Sequence, residues 1–310
     1  MIKRIKKLTF FQIIIDSVKD FGSSDSMSFA ASTAFYTIFS MPALLIIILN
    51  IGTAFYQESE VKEEIIIQVR QLAGEESAQT LADIMANFTI QADGVFSNFF
   101  AIGILAFSAT TVFVSLQNAI NHIWHIKAKP EKGFLKFVIN RLLSFSMVAS
   151  IGFILLVSLI MDALLIVIFN WFSDFFESMA FLLASVGHLI IGQGILVVIF
   201  ALMFKILPDA KVRWRDTWLG AFITMLLFVL GKYMIGLYLG NSDLGSAYGT
   251  AGSLVILLIW VYYSVVIFLF GGQITYYIAE KVGKGVIPLA QAVKVELREI
   301  EEMKSEKEEK

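Results

Sequence analysis

Residues 253–278 read SLVILLIWVYYSVVIFLFGGQITYYI and contain no charged side chain. A helix crosses the hydrocarbon core of a bilayer with about 20 mostly apolar residues, so this stretch is long enough to span it. Five other stretches of the chain meet the same requirement. The sequence therefore predicts an all-α, polytopic membrane protein whose six transmembrane helices are Phe29–Phe55, Val95–Ala119, Phe137–Phe169, Phe181–Leu207, Trp218–Leu239 and Ala247–Ile278.

The composition also favours a membrane protein with one helical bundle, predicted over residues 29–280. The chain has 310 residues, of which 57% are hydrophobic and 16% charged, and its mean hydropathy is +0.77. Soluble domains are nearer one half apolar and one quarter charged. Because the sequence has no cysteine, disulfides, zinc–thiolate sites and iron–sulfur clusters are excluded.

The distribution of lysine and arginine predicts the orientation of the bundle. In a six-span chain, all but three of the 24 basic residues fall on the side that carries both termini. The exceptions are Lys62, Arg70 and Lys232. Because short cytoplasmic loops retain basic residues, this distribution places the N and C termini in the cytoplasm.

The N-terminal segment, residues 1–28, combines a basic cluster with an apolar stripe at Phe11, Ile14, Val18 and Phe21. A helix with one apolar face and several lysines lies in the plane of a membrane surface and is attracted to anionic lipid. We therefore expect an amphipathic interfacial helix at the cytoplasmic face, with the lipid bilayer as its partner.

Two further segments lie outside the predicted spans. Residues 57–94 form an external loop, in which helical spacing on both sides of Gly74 predicts two short helices over the outer mouth of the bundle. Residues 281–310 are predicted to be a charged cytoplasmic tail. From Val293 onward this tail is rich in glutamate and lysine and is expected to be solvated.

Small and aromatic residues predict helix contacts and membrane boundaries. Gly245 and Gly249 have the GxxxG spacing that permits close contact between membrane helices. Tryptophans are enriched at both membrane–water interfaces, where they anchor helices. The predicted anchors are Trp124, Trp214 and Trp218 at the inner boundary and Trp171 at the outer one.

Several segments, taken in order, resemble the YihY/virulence-factor BrkB family, formerly labelled ribonuclease BN. The resemblance covers nearly the whole chain, from about residue 25 to 280. The segments are FAASTAFYTIFSMPALL (29–45), QNAINHIW (117–124), LPDAKVRWRD (207–216) followed by WLGA (218–221), SAYGTAG (246–252), LLIWVYYS (257–264) and GGQI (271–274).

The resemblance implies a six-helix bacterial inner-membrane protein and brings no settled molecular activity with it. One departure lies at Gly272 and Gln273, where many relatives have alanine followed by glutamate or glutamine. A neutral Gln273 argues against an obligatory role in carrying protons. The positions that match the family's motifs are Tyr36, Pro42, Asn118, Asn121, Trp124, Pro208, Asp216, Tyr248, Gly249, Trp260 and Gln273.

The sequence contains no residue pattern that supports the old nuclease label. Phosphodiester hydrolysis usually requires paired carboxylates for metals or a histidine acid–base pair. His122 and His125 lie three residues apart without a nearby acidic pair, which is more typical of an interfacial pair beside Trp124. The lysines are distributed as expected for the cytoplasmic loops of a membrane protein. They are not interleaved with aromatic residues, as they would be in a groove that binds nucleic acid. We expect no enzyme activity, metal, cofactor or nucleic acid.

Ionisable and polar residues inside the predicted spans are the better candidates for a site. Asp162, His188 and Lys232 lie on three different helices at a similar outer depth, and Asn50 lies near that level. One interpretation is that each reaches the outer headgroups or pairs structurally. The other is an outer polar cluster that receives an anionic headgroup.

Two functions from different classes remain open at this point. The first is transport or translocation of an amphiphilic or anionic envelope component, such as a lipid. The second is a scaffolding protein that supports the envelope without moving anything. A water-accessible cavity that reaches the middle of the membrane would favour the first function, and a dry, tightly packed interior would favour the second.

Overall fold

A computed structural model describes residues 2–53, 56–87, 95–129, 177–240, 248 and 252–295. Eight helices and four short strands make up this part of the chain. The helices are α1 (Ile2–Ser23), α2 (Ser26–Gly52), α3 (Glu58–Ala73), α4 (Glu75–Asn87), α5 (Val95–Ile123), α6 (Glu177–Ile206), α7 (Trp214–Gly240) and α8 (Gly252–Lys281), and the strands are β1 (Ile126–Ala128), β2 (Ala210–Lys211), β3 (Ile287–Pro288) and β4 (Ala292–Lys294).

Three helices in the described ranges are long and apolar enough to cross a membrane. They are Ser26–Ile46 within α2, Trp214–Tyr238 within α7 and Leu254–Lys281 within α8, and Gly192–Ile206 is a shorter apolar helix within α6. Five of the six predicted spans coincide with a helix. The predicted span Phe137–Phe169 lies outside the described residues, so the count of six spans and the orientation stay predictions.

Helix α8 lies at the centre of the bundle, and its closest neighbour is α7. A Cβ atom on Gly220 would lie 1.9 Å from Thr275 Oγ1, and one on Gly271 would lie 2.0 Å from Thr224 Oγ1. Each threonine hydroxyl donates to the carbonyl one turn earlier in its own helix, at 2.7 Å. The two helices therefore touch through reciprocal glycine–threonine contacts, whereas Gly245 and Gly249 lie outside the described residues.

Helices α3 and α4 form a hairpin, as the sequence predicts. Gly74 ends α3 with a φ of 84°, a conformation that glycine adopts without steric cost. Arg70 and Glu75 form an ion pair of 2.6 Å across the turn. The hairpin packs on α2, where Leu81 and Met85 join Leu45 in one apolar cluster. The external position of this hairpin stays a prediction.

The segment after α8 differs from the predicted charged tail. Residues 282–295, which we call the strap, run back across the ends of α5 and α6. Strand β4 pairs antiparallel with β1, and β3 pairs antiparallel with β2. Val286 and Ala292 are buried against the bundle. The sequence does not reveal these strands, because each has only two or three residues and its partner lies far away in the chain.

Candidate functional site at one end of the helix bundle

A buried polar network joins the ends of α5 and α6. Asp209 is only 2% exposed, and its carboxylate accepts hydrogen bonds from Asn121 Nδ2 at 2.9 Å and Gln117 Nε2 at 3.5 Å. The backbone N–H of Asp209 donates to Asn121 Oδ1 at 2.8 Å. One asparagine side chain thus holds both the backbone and the carboxylate of Asp209.

The position of Asp209 follows from the sequence around it. Helix α6 ends at Ile206, and Pro208 cannot continue a helix because it lacks the backbone donor. The chain therefore turns directly in front of Asp209, toward the last turns of α5. The carbonyl of Asp209 accepts a hydrogen bond of 2.9 Å from the N–H of Leu289 in the strap. Asp209 connects three elements at this end of the bundle.

Trp124 joins α5 to α8 beside this network. Its indole Nε1 donates to the carbonyl of Gly272 at 3.0 Å, and its side chain is completely buried. A Cβ atom on Gly272 would lie 2.6 Å from Ile120, so the helices meet closely here. Gln273 is also buried, at the same level. The prediction that Trp124 anchors the chain at the membrane interface is wrong, because its polar N–H is satisfied inside the protein.

Asp216, at the start of α7, is a second acidic residue whose carboxylate is buried and hydrogen-bonded, as that of Asp209 is. Its buried carboxylate receives two hydrogen bonds from Arg213, at 2.8 and 2.9 Å. This hydrogen-bonded carboxylate raises the pKa of Arg213 above its ordinary value. A Cβ atom on Gly283 would lie 2.6 Å from the Asp216 carboxylate, so the strap begins directly against it. Trp214 and Trp218 are exposed nearby, as predicted for anchors.

An apolar cavity of about 300 Å³ lies deeper in the bundle. On α8 the cavity begins at Phe268, one helical turn before Gly272 in the sequence. The ring of Phe268 stacks on that of Phe204, with centroids 5.0 Å apart. Side chains from α2 to α8 line it, and Val69 and Leu81 contribute from the α3–α4 hairpin. The other residues around the cavity are Thr37, Met41, Leu116, Phe200, Met203, Phe228, Leu257, Trp260, Val261, Ser264 and Val265.

His125 lies in a second group of polar residues, next to the strap. Its φ is 55°, its carbonyl accepts a hydrogen bond from the N–H of Val295 at 2.8 Å, and its buried Nδ1 has no hydrogen-bond partner. Its ring meets the edge of Tyr276 at 5.6 Å. Burial lowers the pKa of His125 below its ordinary value. The charges of His122 and Lys294 also lower it, whereas Asp20 and Glu280 raise it.

We expect the protein to lose stability on acidification because of His125. A folded-state pKa below the ordinary value of about 6.5 means that the unfolded chain binds the proton first as the pH falls. Stability is therefore expected to fall below about pH 6.5. Thermal unfolding in detergent at pH 7.5 and 5.5 measures this loss. His125→Asn, which tolerates the positive φ, should reduce it, and an unchanged loss would contradict this assignment.

The structure brings together only some of the residues singled out in the sequence. Asn121, Trp124, Pro208 and Gln273 share the end of the bundle described above, and Trp260 lines the cavity. Tyr36, Asn118 and Tyr248 are exposed, and Pro42 lies within α2. Gly249 lies outside the described residues.

The outer polar cluster stays a prediction. Lys232 is exposed on α7. For Asn50 in α2 and His188 in α6 the structure describes the helical backbone but not the side chain. Asp162 lies outside the described residues.

Sequence reasoning missed Asp209 and Gln117. The ionisable and polar candidates lie in the interior of the predicted spans, whereas both of these residues lie at or beyond a span's end. A carboxylate directly after a proline at the end of an apolar stretch was the available signal. It lies inside the segment LPDAKVRWRD that carries part of the family resemblance.

The apolar helices and their packing define a mostly helical membrane protein. The chain belongs to the family described as virulence factor BrkB, which it matches over residues 17–293. Its relatives are called UPF0761 membrane proteins. They include one from Delftia acidovorans, 26% identical over 80% of this chain and 58% of the relative, and one from Psychrobacter sp., 27% identical over 89% of this chain and 51% of the relative.

The chain thus spans between about half and three fifths of the length of these curated relatives. A relative from Verminephrobacter eiseniae is 25% identical and covers the same shares of both chains as the Delftia protein. No solved structure matches the chain. The function of this bacterial membrane-protein family is uncharacterised.

Proposed function

We propose that this protein is a six-span, non-enzymatic membrane transporter that moves an amphiphilic or anionic, lipid-like envelope component, with both termini in the cytoplasm. The observation that carries the proposal is the apolar cavity in the middle of the bundle. Pockets of about 300–1,000 Å³ are the usual size for small-molecule sites, and helix interfaces are a usual place for them.

The lining of the cavity favours a hydrocarbon chain as its occupant. Its two hydroxyl groups are already engaged, because Thr37 donates to the carbonyl of Thr33 at 2.8 Å and Ser264 donates to that of Trp260 at 2.9 Å. The remaining lining side chains are apolar, apart from the indole N–H of Trp260. An apolar cavity of about 150 Å³ stays dry and binds benzene, and this one is about twice as large.

The elements around the cavity suit a transport cycle. At one end, Phe204 and Phe268 separate it from the Asp209 network, which ties α5, α6 and the strap together. From another side, Val69 and Leu81 of the α3–α4 hairpin line it. Moving a ligand through the bundle would require one of these two sides to move. We propose that the hairpin is the lid, because Val69 and Leu81 reach the cavity from it, and its Leu81 and Met85 pack on Leu45 through apolar contacts.

Scaffolding is the second candidate function, and the Asp209 network favours it. Buried, hydrogen-bonded side chains at the junction of three elements give a rigid end to the bundle. A scaffold would need that rigidity but no cavity. The two functions therefore differ in what a side chain placed in the cavity should do.

Val261→Phe is expected to slow lipid movement by filling the cavity. Val261 is buried and lines it. The purified chain is reconstituted in liposomes, and the transfer of fluorescent lipids with neutral and anionic headgroups between leaflets is measured. We expect a loss of at least about tenfold, which corresponds to ~1.4 kcal/mol.

The matched control is Leu258→Phe, which adds an aromatic ring to the same helix at an exposed position. It should transfer lipid at the wild-type rate. If folded wild-type protein moves none of the lipids, transport is wrong and scaffolding gains support. If Val261→Phe matches the wild type, the cavity is not the route.

A further inference from the structure

We propose that α1 is a docking surface for an anionic membrane leaflet. The surface, which we call the leaflet face, consists of Phe11, Ile14, Ile15 and Val18. The inference rests on the proposed membrane topology, but it does not depend on transport.

Helix α1 has three faces with different surroundings. Ile13, Ser17 and Phe21 are buried against the bundle, whereas Gln12 and Lys19 form an exposed polar face. The leaflet face lies between these two and spans about 100° of the helix at 3.6 residues per turn. Phe11 is 65% exposed and Val18 is 56% exposed. A helix with one face on protein, one apolar face and one polar face has the pattern of an interfacial helix.

The contacts of α1 place the leaflet face at one end of α8. Ile13 packs against Ile274 and Ile278, and Phe21 meets the ring of Phe270 at 5.3 Å. These residues belong to the last three turns of α8, which ends at Lys281. The described side-chain contacts of α1 thus lie on the C-terminal turns of α8.

Helix α7 shows that this end of the bundle is the level of a membrane boundary. Gly220 touches Thr275 of α8, so the start of α7 lies beside the same turns of α8. Trp214 and Trp218 are exposed there, as tryptophans at a membrane interface are. Beyond them, as far as Leu230, the exposed side of α7 is apolar. The residues that continue it toward the far end of α7 are Leu219, Phe222, Leu226, Val229 and Leu230.

The apolar surface of α7 also argues for a bilayer as the occupant. Ile223 and Leu227 of α7 pack against the cluster of Ile13, Ile274 and Ile278, so α1 and α7 both lie against the last turns of α8. A lipid leaflet at this level would meet the leaflet face and the exposed apolar side of α7.

The charges of α1 favour an anionic leaflet. Asp16 pairs with Lys281, and Asp20 accepts a hydrogen bond from the hydroxyl of Tyr277. The protein therefore already engages the two acidic side chains of this helix. Lys19 is exposed beside the leaflet face. Basic side chains near an anionic lipid surface are attracted to it, and the first turns of the helix add Lys3, Arg4, Lys6 and Lys7.

Site-directed spin labelling of the full chain tests the proposal, and the sequence has no cysteine to remove. Single variants Phe11→Cys and Val18→Cys report on the leaflet face. Gln12→Cys and Lys19→Cys are the matched controls on the exposed polar face of the same helix. Each is reconstituted in vesicles of phosphatidylcholine alone or mixed with phosphatidylglycerol. Collisions of the label with oxygen, which concentrates in lipid, and with a water-soluble nickel complex are compared.

We expect labels at Phe11 and Val18 to favour oxygen over nickel, and labels at Gln12 and Lys19 to show the reverse. The contrast should be larger with phosphatidylglycerol and should weaken in high salt, because salt screens exposed charges. Equal nickel access at all four positions would overturn the docking surface. Docking that is the same in both lipids would overturn the anionic preference. Both results are independent of whether the protein moves lipid.

A charge-deleted variant provides a second measurement. Replacing the basic residues of positions 3–7 with glutamine should remove the effect of phosphatidylglycerol and leave the bundle folded, because the contacts of α1 with α8 that the structure describes begin at Ile13. An effect of phosphatidylglycerol that survives this change would contradict the role assigned to the basic cluster.

Discussion

Gly220→Leu is expected to destabilise the folded bundle by at least ~3 kcal/mol, because it forces α7 away from α8. A Cβ atom at this position would already lie 1.9 Å from Thr275 Oγ1 and 2.8 Å from Thr275 Cβ. No rotamer of Thr275 removes the second clash, so the backbones must separate. Unfolding in detergent, followed by circular dichroism against temperature or added dodecyl sulfate, measures the loss.

Gly236→Leu is the matched control on the same helix. A Cβ atom there meets nothing within 4 Å, so we expect a change of about 0.5 kcal/mol or less. A double-mutant cycle tests the cause. Gly220→Ala combined with Thr275→Gly removes the clashing Cβ atom, and the pair should cost less than the sum of the single changes. Additive costs would show that the contact between α7 and α8 is not responsible.

Asn121→Ala is expected to destabilise the protein by about 3 kcal/mol, because it breaks two hydrogen bonds to Asp209. Of the two hydrogen bonds that Asn121 and Gln117 donate to the Asp209 carboxylate, the longer one from Gln117 would remain. The backbone N–H of Asp209 would lose its acceptor, Asn121 Oδ1. Removing a hydrogen-bond partner from a buried polar group costs more than the hydrogen bond itself contributes. The strap should also loosen, since Leu289 is held by the carbonyl of Asp209.

Hydrogen exchange of the amides in residues 286–295 reports that loosening, beside thermal unfolding. Asn118→Ala is the control, because Asn118 lies one turn away on α5 and is exposed. Its cost should stay within about 0.5 kcal/mol. Equal effects of the two asparagine variants would show that the Asp209 network is not what stabilises this end of the bundle.

The helices were predictable because their signal is local. Long apolar stretches predicted α2, α5, α6, α7 and α8, and helical spacing on both sides of Gly74 predicted the α3–α4 hairpin. The N-terminal stripe was predicted in part. Phe11, Ile14 and Val18 are exposed, whereas Phe21 is buried against Phe270.

The candidate site was less predictable, because its residues come from distant parts of the chain. Asn121 and Trp124 were selected from a motif, but their roles depend on Asp209 and Gly272. Trp124 and its acceptor, Gly272, lie 148 residues apart in the sequence. A tryptophan near the end of a span has the same sequence signature whether it faces lipid or protein. Only the packing of α8 against α5 decides that Trp124 is buried.

The sequence by itself determined that this chain is a helical membrane protein and where most of its helices lie, because hydrophobicity and length act within one segment at a time. The tertiary structure alone decided which glycines form the α7–α8 contact, that the first part of the tail is a strap, and that a cavity remains among seven helices. Each of these depends on how side chains from separate segments fill the space between backbones. No single segment contains that information.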